Sequence, residues 1–119
     1  MSKNFVIHNP KGITYIKFTK EAELTDLLSA MDDIAARPDS DYRLWDMSNG
    51  VRLSGQDVTK VAEYGMEKFT RPGKSAIIAP ENVSFATVSL GTVRHNDDLV
   101  EQQVFRSRQD AVAWLNRKK

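Results

Sequence analysis

The apolar positions near the amino terminus fall into two short runs that favour strands. Residues 5–8 and 13–18 are rich in branched and aromatic side chains, which favour an extended backbone. Between them lies Asn-Pro-Lys-Gly, in which Asn9, Pro10 and Gly12 stand at positions that a type I turn prefers. The pattern therefore predicts an antiparallel hairpin at the start of the chain.

The next apolar residues recur at spacings of three and four, the period of a helix with one buried face. Thr19 is the predicted N-cap, and Glu21 and Glu23 occupy the first turn, where acidic side chains are favoured. Pro38 ends this helix. The predicted buried positions are Leu24, Leu27, Leu28, Met31, Ile34 and Ala35. Such a stripe needs a sheet to cover it.

The segment 42–47 is apolar without alternation, which is typical of a strand buried on both faces in a parallel sheet. A second helix is predicted from about residue 55 to residue 69. Its predicted inward face is Val58, Val61, Ala62, Gly65, Met66 and Phe69. Its predicted outward face is Lys60, Glu63, Tyr64, Glu67 and Lys68.

The remaining third of the chain predicts two more strands and two more helices. Residues 74–80 and 101–106 have the apolar character of strands, and a last helix begins after Ser107. A helix over 82–96 is also predicted, because Ala86, Leu90 and Val93 fall on one side. The order β-β-α-β-α-β-α-β-α predicts an α/β fold with a mixed, mainly parallel sheet and an N-terminal hairpin. A length of 119 residues predicts one domain over 1–119.

Two short motifs flank the turn between the third strand and the second helix. Residues 46–50 read Asp-Met-Ser-Asn-Gly, and Ser54 and Gly55 open the helix. Together with the element order, they resemble the STAS domain of bacterial anti-sigma-factor antagonists, especially the small stand-alone SpoIIAA-like proteins. The resemblance implies a regulatory, non-enzymatic protein with a serine phosphoacceptor at Ser54. The sequence departs from the antagonists in a shorter spacing and in Leu53, where they usually carry an acidic residue.

Composition narrows the functional classes further. Seventeen basic and sixteen acidic side chains are interspersed and leave a net charge of +1, which argues against nucleic-acid binding. There is no cysteine, and His8 and His95 are the only imidazoles, so neither a metal site nor a cofactor is predicted. No apolar run is long enough to span a bilayer, and the first residues do not form a signal sequence. The sequence therefore predicts a cytoplasmic protein.

Three side chains of the turn have both a structural and a chemical interpretation. Ser54 with Asp57 three residues later predicts a capping box, and phosphorylation at Ser54 is the alternative. Asp46 at the carboxyl end of a strand is either an Asx-type turn residue or a general acid or base. Ser48 lacks the glycine two residues upstream and the nearby histidine that a nucleophilic elbow needs, so catalysis is not predicted.

Two functional hypotheses follow. The preferred one is a regulatory domain that recognises a protein partner through residues 48–55 and the following helix. Its candidate residues are Asp46, Ser48, Asn49, Arg52, Ser54, Gly55 and Tyr64. The alternative is a small-ligand or lipid carrier that binds at the carboxyl ends of the strands. A cavity lined by Trp45, Met47, Phe85 and Leu90 would favour the carrier, whereas a filled core with exposed Val51 and Tyr64 would favour the partner surface. A hydrolase ranks last, and a homodimer is left open.

Overall fold

The computed structural model of the chain describes residues 4–37, 41–79 and 100–117. The strands are β1 (Phe5–His8), β2 (Thr14–Phe18), β3 (Ala22–Glu23), β4 (Tyr42–Asp46), β5 (Val51–Arg52), β6 (Gly73–Ile78) and β7 (Val100–Phe105). The helices in these ranges are α1 (Leu24–Ala35), α2 (Gly55–Lys68) and α3 (Arg108–Asn116). The helix predicted over 82–96 lies outside the described residues.

Within the described residues, the main sheet has five strands, in the order β1-β2-β4-β6-β7. β1 runs antiparallel to β2, and each of the other neighbouring pairs is parallel. The two-residue strands β3 and β5, which the sequence pattern does not show, pair in parallel as a separate small sheet. The predicted α/β fold with a mixed, mainly parallel sheet and an N-terminal hairpin is confirmed.

The hairpin turn differs from the predicted type I turn. The backbone N–H of Ile13 donates to the carbonyl oxygen of Pro10 at 3.2 Å, so the tight turn begins one residue later than predicted. Its two central residues, Lys11 and Gly12, have φ of 56° and 82°. Positive φ at both central positions is the mark of a type I′ turn, whose twist matches that of the flanking strands. Glycine adopts this backbone without strain, whereas Lys11 does not.

Helix α1 begins at Leu24 and not after Thr19, so the predicted N-cap is wrong. Ala22 and Glu23 are extended because they pair with Val51 and Arg52 of β5. The backbone N–H of Thr19 is bonded to the carbonyl oxygen of Asn4 at 2.9 Å, and this bond belongs to the hairpin. Because β3 pairs with β5, the helix begins about one turn later in the sequence than predicted.

The main sheet is covered by α1 and α2 on one face and by α3 on the other. The first core cluster includes Ile16, Phe18, Leu27, Ala30, Ile34, Trp45 and Phe69. The second cluster consists of Ile13, Leu44, Ala76, Ile78, Ala111 and Leu115. Leu44 and Trp45 belong to different clusters, which confirms that β4 is buried on both faces.

Most of the predicted helix stripes are confirmed. Leu27, Met31 and Ile34 are buried in α1, and Val58 and Ala62 are buried in α2. Met66 was predicted to point inward, but it is 50% exposed. The buried side of α2 near its end is formed by Gly65, whose lack of a side chain allows close packing.

Candidate functional site

The carboxyl end of β4 leads into the segment that the sequence singles out, called here the 48–55 loop. Asp46 closes its first turn, because its Oδ1 atom accepts the backbone N–H of Ser48 at 3.0 Å. The N–H of Gly50 donates to the carbonyl oxygen of Met47 at 2.9 Å and tightens the same turn. The Asx-type interpretation of Asp46 is therefore confirmed.

Asn49 and Gly50 attach the loop to the neighbouring part of the chain. The Nδ2 atom of Asn49 donates to the carbonyl oxygen of Phe18, the last residue of β2, at 2.9 Å. The carbonyl oxygen of Gly50 accepts the N–H of Ala22 at 2.9 Å. Gly50 has a φ of 98°, which residues with a Cβ rarely adopt. The loop is thus held on both sides by hydrogen bonds.

The two side chains of the short strand β5 point to opposite faces, as successive side chains of a strand do. Val51 is 9% exposed and belongs to the core, so the partner-surface picture that expected an exposed Val51 is wrong at this residue. The side chain of Arg52 is 73% exposed, and its Nε atom lies 3.1 Å from Oε1 of Glu21. Arg52 is therefore displayed to solvent beside a carboxylate.

Ser54 is the N-cap of α2, as predicted. Its Oγ atom accepts the backbone N–H of Asp57 at 3.1 Å, and Oδ2 of Asp57 accepts the N–H of Ser54 at 3.1 Å. This reciprocal pair is a complete capping box. Gly55 follows as the first helical residue, and a Cβ added there would meet nothing within 4 Å.

Tyr64 lies apart from the other candidate residues. It is nine residues beyond Gly55, about 13 Å along the helix axis. It is partly buried against the core, and its hydroxyl donates to Oδ1 of Asp32 in α1 at 2.5 Å. Lys68 Nζ lies 3.4 Å from the same oxygen. Tyr64 therefore joins α1 to α2 and is not a freely exposed side chain.

This contact between the two helices shifts the pKa of three side chains. The hydrogen bond from Tyr64 lowers the pKa of Asp32, and Lys68 adds to the effect. The same bond raises the pKa of Tyr64, because it stabilises the protonated phenol. The hydrogen bond to Asp32 raises the pKa of Lys68.

The sheet topology separates Ser48 from His8. His8 lies two strands away from β4, because it pairs with Tyr15 and Tyr15 pairs with Leu44, the middle residue of β4. Ser48 follows the carboxyl end of the same strand, so this imidazole cannot act as its base. The imidazole of His8 instead stacks on the Tyr15 ring with centroids 5.3 Å apart. His95 lies outside the described residues.

Ranges 4–37, 41–79 and 100–117 contain neither a cluster of metal ligands nor a membrane-spanning helix. There, no three His, Asp or Glu side chains come together as a metal site would require. None of the helices in these ranges has the length and apolar character needed to cross a bilayer.

Two partners of the candidate residues were missed by the sequence reasoning. Glu21 was assigned to the first turn of α1, and it instead pairs with Arg52. Asp32 was not singled out, although it binds Tyr64. Both contacts join segments that are distant in sequence, and no local spacing marks them. Arg43, by contrast, can be recognised from the sequence, because it is a charged residue within an otherwise apolar strand.

Comparison with known proteins bears on the fold. No known protein-family profile matches the sequence, and no curated protein matches it. A similar solved structure is an uncharacterised protein of the DUF3478 family with a SpoIIAA-like fold, from Shewanella loihica PV-4. The alignment covers 97% of this chain and 98% of that chain, with a TM-score of 0.53 and 20% sequence identity. The chain has a SpoIIAA-like fold.

The SpoIIAA-like fold confirms the resemblance in architecture that the element order and the turn motifs indicate. At 20% identity the likeness carries the fold alone, since one fold supports many functions. In this fold, the 48–55 loop follows the carboxyl end of the central parallel strand β4, on the side where open α/β sheets bind ligands.

Proposed function

We propose that the protein is a non-enzymatic regulatory or interaction domain, extending over 1–119, that binds a protein partner through the 48–55 loop and the first turn of α2. The supporting observation is that hydrogen bonds anchor the loop at several points while it exposes polar side chains. Asp46, Asn49 and Ser54 make the hydrogen bonds that fix the backbone. Ser48 and Arg52 remain exposed on that frame.

A fixed frame of this kind favours recognition, because little conformational entropy is lost when the partner binds. Arg52 is suited to the rim of an interface, since its guanidinium offers several donors and arginine is enriched in interfaces. The ion pair with Glu21 is exposed and contributes little to stability, so this side chain can exchange partners at small cost. We leave Tyr64 outside the proposed surface, because it lies about 13 Å beyond Gly55 along α2 and its hydroxyl is already bonded to Asp32.

Ser54 remains a proposed phosphoacceptor within this surface. The residue is exposed and stands at the amino end of α2. A phosphate there would interact favourably with the helix dipole and with backbone N–H groups of the first turn. Modification would add negative charge to the partner surface and so change its affinity.

The carrier alternative is not proposed. Trp45 and Met47, two of the four residues expected to line its cavity, are packed in the core. Phe85 and Leu90, the other two, lie outside the described residues. No observation within the described ranges favours a ligand under the carboxyl ends of the strands.

The test is to replace Arg52 by alanine, capture the protein from its native cells and identify what co-purifies by mass spectrometry. Arg108→Ala is the matched control, because Arg108 is also an exposed arginine but lies on α3, across the sheet. We expect Arg52→Ala to lose a protein that the wild type and Arg108→Ala both retain, with unchanged thermal stability. If Arg52→Ala retrieves every partner of the wild type, the proposed surface is wrong.

A further inference from the structure

A cleft of about 210 Å³ lies at the end of the sheet opposite to the 48–55 loop. It is formed where the carboxyl ends of α1 and α2 meet the start of β4. The lining side chains that matter for its chemistry are Arg37, Asp41, Arg43, Lys68, Phe69 and Arg71. The cleft therefore belongs to a different part of the molecule from the proposed partner surface.

The lining of the cleft is positively charged. Its four cations and one carboxylate leave a surplus of three positive charges, whereas the whole chain carries only +1. The carboxyl ends of the two helices contribute about half a negative charge each. Asp32, which lies 3.4 Å from Nζ of Lys68, offsets one more charge. Cationic side chains nevertheless predominate in the lining, which favours an anion in the cleft.

Arg43 is the fixed element of the cleft. It is only 2% exposed, and its Nε atom donates to Oγ of Ser75 at 2.9 Å. Its guanidinium lies over the ring of Phe69, 4.1 Å from the centroid. Burial, opposed by the charge of Asp41 and reinforced by that of Arg71, lowers the pKa of Arg43 to about 10. A cation in this position is stabilised by any anion that enters the cleft.

Arg71 lies at the mouth of the same cleft. Its side chain is 53% exposed, and its Nη2 atom lies 3.1 Å from Oδ1 of Asp41. An exposed ion pair of this type contributes little, so Arg71 can turn to a bound anion without a large loss of stability. The cleft thus combines a buried guanidinium, held by Ser75 and Phe69, with a second guanidinium that is free to reorient.

We propose that this cleft binds the phosphate group of a phosphomonoester. Planar guanidinium groups match phosphate oxygens with paired hydrogen bonds, and three of the four cations here are arginines. The volume is below the roughly 300–1,000 Å³ of pockets that enclose a drug-sized ligand. A phosphate group and a short stem therefore fit, while the rest of a larger molecule would remain outside.

The test is a backbone amide NMR titration of the full chain with sodium phosphate and with glycerol 3-phosphate. Sodium chloride and sodium acetate at equal ionic strength are the comparison salts. Arg71→Gln and Lys68→Gln remove cations of the cleft, and Arg108→Gln removes the same charge on α3 as a matched control. Co-sedimentation with vesicles of phosphatidylcholine, with and without phosphatidic acid, covers the lipid source of the same chemical group.

We expect saturable shifts at the amides of Arg43, Thr70 and Arg71, with affinity weakened about tenfold in each cleft variant and unchanged in Arg108→Gln. Binding of glycerol 3-phosphate would assign a soluble ligand. Binding only of phosphatidic acid vesicles, lost in Arg71→Gln, would assign a lipid headgroup. The proposal is overturned if neither the two soluble phosphate compounds nor the phosphatidic acid vesicles bind more than their chloride and phosphatidylcholine comparisons, if acetate binds as tightly as phosphate, or if all three variants weaken binding equally.

Discussion

Replacement of Ser54 by alanine tests the start of α2, the element that carries the proposed partner surface. The change removes the Oγ atom that accepts the N–H of Asp57 at 3.1 Å. The reciprocal bond, in which Asp57 accepts the N–H of Ser54, uses only the backbone of residue 54 and survives. The side chain of alanine cannot accept a hydrogen bond, so one N–H of the first helical turn loses its partner.

The expected loss is about 1 kcal/mol in the free energy of unfolding, the typical value for removing a serine N-cap. The unfolding entropy of a chain of 119 residues is roughly 0.25 kcal/mol/K, from about 2.1 cal/mol/K per residue. The ratio of the two predicts that Tm falls by about 4 °C. The exposure of Ser54 keeps the value near the middle of the range, because water can reach the freed N–H group.

The assay is urea unfolding followed by circular dichroism, with a thermal scan of each variant. Ser54→Asp is expected to be nearly neutral, since aspartate also caps helices. Ser48→Ala is the matched control, because Ser48 is an exposed serine of the same loop and lies outside the capping box. Its effect should stay within about 0.5 kcal/mol. A Ser54→Ala variant as stable as the wild type would show that the capping box does not hold the start of α2.

Two further predictions concern packing and pH. Gly73→Ala should destabilise by about 2 kcal/mol or more in urea unfolding, because the added Cβ would overlap the carbonyl oxygen of Asp41. Gly55→Ala, whose Cβ meets open space, should be at least as stable as the wild type, and equal effects at the two glycines would contradict this reasoning. Tyr64→Phe removes the bond that lowers the pKa of Asp32. A carboxyl pKa that is lower in the folded state stabilises the fold at pH values above the unfolded pKa, near 3.8, and this stabilisation is lost as the pH falls through the folded pKa. The difference in urea midpoint between Tyr64→Phe and the wild type should therefore shrink from pH 7 to pH 3. An equal difference at both pH values would contradict the assignment.

The two helix starts show how far the sequence determines the fold. Ser54 and Asp57 form their capping box from residues three positions apart, and the sequence predicted this start correctly. Thr19 has the same capping ability, but the helix begins at Leu24. The start at Thr19 is prevented by the pairing of β3 with β5, a strand that follows α1 in the sequence. Local signals predict an element only where no distant contact competes with them.

The sequence predicted those features of the candidate site that depend on residues close together along the chain. The turn at Asp46 and the cap at Ser54 are local features, and both were predicted from spacing. The helical period placed Tyr64 on the outward face of α2, but it could not show that α1 brings Asp32 within reach of its hydroxyl. The basic cleft was not predicted, because its cations come from three separate segments of the chain.

Because β3 pairs with β5, a backbone amide far from the 48–55 loop in sequence reports on whether the loop is open or closed. The amide proton of Ala22 is bonded to the carbonyl oxygen of Gly50, and Ala22 is fully buried. This proton can exchange with solvent deuterium only when the loop separates from the segment that precedes α1. The exchange rate at Ala22 therefore measures the opening of the loop, and a partner that binds the closed loop would slow exchange at a residue it need not touch.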